Sequence, residues 1–178
     1  MFHKDQLHIT IDRLCYQLIE QHDDFKGVCL VGIQKKGAIL GARILKRLKE
    51  ISGMADIPFG KLDITFFRDD FRQGNKILVP HNNEMEFLVE GMDVILVDDV
   101  LYTGRTIQAA LQALTHYGRA RSVELLVLID RRFNRALPIQ SHYVGLKVDA
   151  LDKAYVKVEL EEEGMEDRVL FFDAETED

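Results

Sequence analysis

The sequence is poor in several residue types, and each shortage excludes a class of protein. It contains no tryptophan, three prolines and two cysteines among 178 residues. Cys15 and Cys29 lie in apolar stretches with no CxxC pair and no histidine at zinc-ligand spacing, so we expect buried thiols, a reducing compartment and no structural metal. Without repeats, low-complexity tracts or a proline-rich linker, the chain is expected to form one domain over residues 1–178.

Long apolar runs are also missing. No stretch approaches the roughly 18 residues that a membrane span needs, and the N-terminus lacks the apolar core of a signal peptide. We therefore expect a cytoplasmic protein that does not bind a membrane.

Positive charge is in deficit, but only at one end of the chain. The formal net charge is −7, which taken whole disfavours a general nucleic-acid binder. Residues 159–178 hold ten acids and one base, so this segment carries −9 and the remaining residues carry +2. The acidity belongs to the C-terminal segment, and the body is nearly neutral.

The apolar residues that are present alternate between two patterns. Three short continuous runs predict strands buried on both faces, at 28–31, 94–97 and 125–129. Helical spacing lies before or between them, at 11–19, 39–48 and 107–114. This alternation predicts an α/β fold with an open, mainly parallel twisted sheet flanked by helices.

Three further segments complete this prediction. A fourth strand is expected at 64–67, and the last forty residues are expected to form a small appendage, or hood, from short alternating strands. Residues 68–83 form a long charged connection that suits either a lid over a binding site or a plain exposed loop.

The segment VILVDDVLYTGRT, residues 94–106, carries the strongest chemical signal. Asp98 and Asp99 follow a buried strand, where an open α/β sheet binds its ligands. TGRT at 103–106 offers successive backbone N–H groups, a glycine and two hydroxyls at the start of a helix, which is a phosphate cradle. It is not a Walker A loop, because GxxxxGK[ST] is absent.

Carboxylates beside a phosphate site need an explanation, since they would repel a triphosphate. Two vicinal sugar hydroxyls supply one, because Asp98 and Asp99 would accept their hydrogen bonds while the sugar's phosphate reaches the cradle. The ligand so described is a ribose 5-phosphate. An acidic strand end or a helix cap would explain either half alone, but not both at this spacing.

This segment resembles the 5-phosphoribosyl 1-pyrophosphate (PRPP) signature of the type I phosphoribosyltransferases. Other stretches resemble one subfamily, the bifunctional pyrimidine-operon attenuation regulators and uracil phosphoribosyltransferases. These are VCLVGIQKKG at 28–37, LDITFFRDD at 62–70, and VLIDRR with ALPIQSHYVG within 127–145. The resemblance implies the type I fold and the reaction of uracil with PRPP to give UMP and pyrophosphate, with Mg2+ held by ligand oxygens rather than by a protein cage.

The resemblance also implies roles for individual residues. The ribose and 5-phosphate would be bound by Asp98, Asp99, Val100, Leu101, Tyr102, Thr103, Gly104, Arg105 and Thr106. Pyrophosphate would be bound by Gln34, Lys35, Lys36, Gly37, Arg68 and Arg72, although the first four also suit a surface basic turn. Asp98, Asp99 and Arg68 would be the catalytic residues. Lys36 stands where the subfamily more often has arginine, so it keeps the charge but loses the bidentate fork.

The accepted base is suggested by a residue that is missing. The 6-oxopurine enzymes carry an aspartate before the Thr-Gly pair, whereas this chain has Tyr102, which disfavours hypoxanthine and guanine. Tyr102, Asp130, Arg131, Tyr155 and Val156 are candidates for the uracil site, although Asp130 would equally suit a strand-end carboxylate paired with Arg131.

The subfamily's second role is binding of a pyrimidine-operon leader RNA in the presence of uridine nucleotides. Of the positions that carry basic residues in attenuators, only Arg13 and Arg135 keep the charge here. Two hypotheses follow: a uracil transferase, or an RNA-binding attenuator with a vestigial transferase site. Transfer to a purine is a further alternative. Subfamily members commonly form dimers or larger homo-oligomers, and the same is expected here.

Overall fold

The computed structural model describes residues 3–53, 56–67, 84–133, 135–149 and 154–173. The helices are α1 (Lys4–His22), α2 (Lys36–Ser52) and α3 (Arg105–Leu114). The strands are β1 (Val28–Ile33), β2 (Phe59–Leu62), β3 (Asp93–Leu101), β4 (Ser122–Arg131), β5 (Tyr143–Val148), β6 (Ala154–Glu159) and β7 (Arg168–Asp173). The predicted lid at 68–83, with Arg68 and Arg72, lies outside the described residues.

Five parallel strands form the central sheet in the order β2-β1-β3-β4-β5. Its residues alternate between two cores, which explains the continuous apolar runs. Leu30, Ile95 and Leu126 face a core with α1 and α2, whereas Val31, Leu96 and Val127 face a core with α3. The prediction of a parallel sheet covered on both faces is confirmed.

The second sheet is an antiparallel pair of β6 and β7, and it forms the predicted appendage. We call residues 154–173 the hood. Val156, Val158 and Val169 of the hood pack into the same core as α1 and α2. The hood is therefore fastened to the α1–α2 face of the sheet by apolar burial.

Two local predictions are wrong. The strand expected at 64–67 is a short 3₁₀ turn, Thr65–Phe67, because the Asp63 carboxylate accepts hydrogen bonds from the N–H (2.8 Å) and the hydroxyl (2.5 Å) of Thr65. The actual strand is β2, which lies just before it. The last forty residues are also not all appendage, because β5 joins the main sheet beside β4.

The cysteines are where the sequence places them. Cys15 and Cys29 are both buried and unpaired with each other, and burial raises the pKa of each thiol to about 12. Within the described ranges, no helix combines the length and the apolarity that crossing a membrane requires.

Candidate active site

The two carboxylates lie within β3, beyond its fully apolar stretch. Pairing with β4 continues past them, since Asp98 is opposite Val127 and Leu101 is opposite Asp130. Asp98 is 6% exposed, and its Oδ1 accepts a hydrogen bond from the N–H of Asp99 at 3.0 Å. The strand therefore extends further than the apolar pattern predicts, and it holds both carboxylates on a rigid element.

Asp99 is an unusual carboxylate in its surroundings. Burial raises the pKa of its carboxyl above the ordinary value, while the positive charge of Lys36 and the backbone N–H of Val100 act in the opposite direction. A carboxylate that is largely buried from water accepts hydrogen bonds from hydroxyl groups strongly, and a nearby positive charge stabilises it strongly.

The predicted phosphate cradle at 103–106 forms the entry to α3. Gly104 caps this helix with a φ of 91°, a left-handed conformation that favours glycine. The N–H of Arg105 lies 3.4 Å from the Thr103 hydroxyl. Because the first turn of an α-helix has N–H groups with no intrahelical acceptor, this end of α3 suits an anion.

The loop predicted to bind pyrophosphate, residues 34–37, joins β1 to α2. Its Gln34–Lys35 peptide is cis, Lys35 is exposed, and Lys36 starts the helix. A Cβ on Gly37 would lie 3.0 Å from the Asp98 Cα and nearer still to the Val97 carbonyl oxygen. Glycine at 37 therefore lets this loop touch β3 at the carboxylates.

Lys36 connects this loop to the hood. Its Nζ donates a hydrogen bond to the carbonyl oxygen of Val158 at 2.5 Å, and its charge acts on Asp99. The sequence shows no sign of this contact, because 122 residues separate the two partners. Lys36, from the predicted pyrophosphate loop, is thus hydrogen-bonded to the hood and acts electrostatically on the Asp99 carboxylate.

On the other side of the cradle, Tyr102 and Arg131 form a stacked pair. The Arg131 guanidinium carbon lies 3.8 Å from the centre of the Tyr102 ring, which is a cation–π contact. Asp130 does not pair with Arg131, as one alternative expected. It accepts hydrogen bonds from Arg135 Nη2 at 2.5 Å and from the Ser141 hydroxyl at 2.9 Å. The sequence analysis did not identify Ser141. The available signal was Asp130 itself, since a carboxylate at the end of a buried strand needs a hydrogen-bond donor nearby.

The hood contributes one exposed and one buried candidate. Tyr155 is exposed, with its ring 6.5 Å from that of Phe172, whereas Val156 is buried in the core. Val156 can therefore offer a ligand only its backbone, and Tyr155 is the side chain with a free face.

The two arginines expected to bind RNA both have internal partners. Arg13 donates to the carbonyl oxygens of Val144 and Gly145 on β5, and Arg135 donates to the Tyr102 carbonyl and to Asp130. Each therefore has a structural task in this conformation, which the sequence pattern did not indicate.

Residues 161–167, within the described part of the acidic segment, pack against basic residues of α1 and α2. Arg43 of α2 binds Glu162 and Asp167, and Lys4 of α1 binds Glu161. Burial alone would raise the pKa of Asp167, but the Arg43 guanidinium lowers it below its ordinary range. These ion pairs thus neutralise part of the negative charge of the segment.

Comparison with known proteins agrees with this geometry. A family model described as the phosphoribosyl transferase domain matches residues 3–163. The bifunctional protein PyrR of Enterococcus faecalis is 40% identical over 161 residues, covering 90% of this chain and 89% of that protein. PyrR of Haemophilus ducreyi is 42% identical over 157 residues, covering 88% and 87%.

Solved structures share the architecture. A hypoxanthine-guanine phosphoribosyltransferase from Bacillus anthracis superposes with a TM-score of 0.63 at 16% identity, covering 84% of this chain and 83% of that one. At this identity the likeness concerns the fold alone.

Proposed function

The chain belongs to the phosphoribosyltransferase family and, within it, to the bifunctional PyrR proteins, and from this premise we propose that it transfers a 5-phosphoribosyl group from PRPP to uracil. One observation carries the proposal. Through Gly37, the 34–37 loop contacts β3 at Asp98, and residues 103–106 follow the same strand; this supports a site in which the loop binds pyrophosphate, the carboxylates bind the ribose and residues 103–106 bind the 5-phosphate. These are the three groups that PRPP needs.

The reaction exchanges one bond at the anomeric carbon. The bond from C1 to the pyrophosphate oxygen breaks and its electron pair leaves with pyrophosphate, while N1 of uracil bonds to C1 and its proton passes to the departing pyrophosphate or to water. The ribose becomes oxocarbenium-like on the way, so catalysis depends on positioning and on charge stabilisation. Asp98 and Asp99 accept the ribose hydroxyls and offset the positive charge that develops on the ring.

The anionic ends of the donor have separate partners. The cradle at 103–106 binds the 5-phosphate, and Lys36 with the backbone of the 34–37 loop binds pyrophosphate. Mg2+ would be held by oxygens of the donor rather than by a protein cage, with Asp98 and Asp99 nearby, and it would supply positive charge to the leaving pyrophosphate. Arg68 and Arg72 are proposed to join this group from outside the described residues.

Uracil is the proposed acceptor because Tyr102 replaces the carboxylate that a 6-oxopurine enzyme uses. The Tyr102–Arg131 stack and Asp130 lie at one side of the cradle, and Tyr155 and the Val156 backbone belong to the hood. We assign these groups to the base site, where a planar pyrimidine needs stacking and a few hydrogen bonds.

The test of this function is product formation. Labelled uracil, PRPP and Mg2+ should give UMP, and hypoxanthine or guanine should give no nucleotide. Lys36→Met should weaken PRPP binding strongly, while Lys49→Met, an exposed lysine of the same helix, serves as the matched control. Absence of UMP with every metal and donor concentration tried would refute the proposal.

The second role is regulation of pyrimidine genes through leader RNA, and the observation in its favour is the 40% identity to proteins named bifunctional. A gel-shift titration with the organism's own pyrimidine leader, with and without UMP, tests it. Binding no tighter than to scrambled RNA would exclude it. We further propose a single domain that assembles as a homodimer or larger homo-oligomer in the cytoplasm.

A further inference from the structure

The segment that follows β4 is hydrogen-bonded to the main chain of the cradle at 103–106. We call residues 135–141 the bracket. The carbonyl oxygen of Thr103 accepts hydrogen bonds from the N–H groups of Ala136 at 3.0 Å and Leu137 at 3.2 Å. A Cβ on Gly104 would lie 3.1 Å from the Ile139 side chain, so bracket and cradle are in close contact. The backbone of the cradle is therefore fixed by a segment more than thirty residues later in the chain.

Arg135 extends this support by one residue. Its Nη1 donates to the carbonyl oxygen of Tyr102 at 2.5 Å, and its Nη2 donates to Asp130 Oδ1 at 2.5 Å. One planar guanidinium thus joins the residue just before the cradle to the end of β4. A lysine would not hold both acceptors in this fixed geometry.

Asp130 is itself held firmly. It is 7% exposed, and its second oxygen accepts the hydrogen bond of the Ser141 hydroxyl at 2.9 Å. Both ends of the bracket, Arg135 and Ser141, therefore meet on one buried carboxylate. Because this carboxylate belongs to the central sheet, the bracket is anchored to a rigid element.

Two consecutive carbonyl groups, those of Tyr102 and Thr103, therefore both accept hydrogen bonds from the bracket. The N–H groups of Thr103 and Gly104 share peptide planes with these carbonyls and point the opposite way, so engaging the carbonyls on one side presents both N–H groups to an anion on the other side. The Arg131 guanidinium on the Tyr102 ring restrains the same residue through its side chain.

We propose that Arg135 is a positioning residue for the 5-phosphate cradle, acting through the Tyr102 carbonyl and anchored by Asp130 and Ser141. The inference rests on the proposed function for its substrate, and it concerns the main chain of the cradle, although Tyr102 and Asp130 are shared with the proposed base site. It assigns Arg135 to the donor side of the site, in addition to any contact with RNA.

The experiment compares Arg135→Gln with Arg135→Lys and with Arg132→Gln. Arg132 is the matched control, since it is an exposed arginine of the same segment whose partner is Asp149 at 3.2 Å. Losing two charge-assisted hydrogen bonds should raise the KM for PRPP by about tenfold in Arg135→Gln, and the KM for uracil by a clearly smaller factor, since Tyr102 and Asp130 also belong to the proposed base site. Arg135→Lys should recover part of this loss, and Arg132→Gln should match the wild type.

Ser141→Ala is a milder second variant, which removes one hydrogen bond to the anchor and is expected to fold. It should raise the KM for PRPP by about threefold. If Arg135→Gln is unfolded, as judged by its thermal transition, the Ser141→Ala result decides. An unchanged KM for PRPP in the folded variants would overturn the proposal, and so would equal increases for PRPP and uracil, which indicate general loosening.

Calorimetric binding of ribose 5-phosphate separates this inference from the proposed function. If the wild type binds ribose 5-phosphate and Arg135→Gln binds it about tenfold more weakly, the bracket acts as proposed even where no UMP is formed. If the wild type forms UMP but both proteins bind ribose 5-phosphate equally, the function stands and the inference fails.

Discussion

A methyl group added at Gly37 should push the 34–37 loop away from the carboxylates on β3. A Cβ there would lie 3.0 Å from the Asp98 Cα and 3.2 Å from the Val97 carbonyl carbon, and nearer still to its oxygen. Non-bonded carbon atoms prefer separations of about 3.5–4.0 Å, so the 34–37 loop would have to retreat from β3 by about 1 Å. The obstacle is main chain inside a buried sheet, which has little room to move.

The expected effect of Gly37→Ala is therefore larger on catalysis than on folding. Overpacking destabilises a fold by about 1–3 kcal/mol, which a domain of this size tolerates. A misplacement of about 1 Å between leaving group and carboxylates lowers the rate about 100-fold. The assay is kcat/KM for PRPP, measured by UMP formation, together with the thermal unfolding midpoint.

Gly41→Ala is the matched control in the same helix. Its Cβ would meet the edge of the Phe59 ring at 2.7 Å, and a side-chain ring adjusts more easily than backbone. Alanine also favours a helix interior over glycine by about 1 kcal/mol, so this variant should keep its stability and its activity. If folded Gly37→Ala retains activity within about threefold of the wild type, the contact between loop and strand is not what aligns the site.

Three further outcomes are expected. Asp99→Asn replaces the carboxylate proposed to bind the ribose hydroxyls and should lose most turnover; an unchanged turnover would contradict that role. Since burial raises the Asp99 pKa on folding, the same variant should unfold at a higher temperature than the wild type at pH 7, and this gain should fade in acid, where the wild-type carboxyl is protonated. Arg43→Gln removes the guanidinium partner of the buried Asp167, which keeps only the N–H of Glu161 at 2.9 Å and His8 Nε2 at 3.8 Å, and should lower the free energy of unfolding by about 3 kcal/mol at neutral pH. Because Arg43 keeps the folded pKa of Asp167 below its ordinary value, that difference should begin to shrink as the pH falls below about 4 and disappear only at the lower pH where folded Asp167 is protonated, as denaturant melts at several pH values would reveal. Tyr102→Phe keeps the ring under Arg131 and should retain activity, whereas Tyr102→Ala should lose about tenfold in kcat/KM; equal losses would assign the effect to the hydroxyl instead.

The regular elements illustrate which local signals are reliable. The runs at 28–31, 94–97 and 125–129 are apolar at every position because those strands are buried on both faces, and all three belong to the central sheet. The strand β2, FGKL, has no such run, and the apolar ITFF after it forms a turn because Asp63 binds Thr65. A side chain that hydrogen-bonds its neighbours overrides apolar content over so short a stretch.

Some features of the candidate site could likewise be predicted from the sequence, and others could not. The placement of the carboxylates on β3 and of residues 103–106 at the entry to α3 could be predicted, because it follows from a short contiguous motif, whereas their roles toward a ligand stay predictions. The partners of Arg13 and Arg135 could not, since a basic residue on a helix or loop has the same pattern whether it meets RNA or a carbonyl oxygen. The acidic C-terminal segment is similar, because its count of charges says nothing about Arg43 beneath it.

By itself, the sequence determined the alternation of strands and helices and the burial of both thiols, and it predicts a ribose 5-phosphate site in the VILVDDVLYTGRT segment. These depend on spacing over one or two turns or strands. Only the tertiary structure decided that Lys36 reaches the hood, that Arg131 stacks on Tyr102, and that Arg135 supports the cradle. Lys36 meets a residue 122 positions away and Arg135 one 33 positions away, and such pairings are set by how the sheet and its connections pack rather than by any local preference.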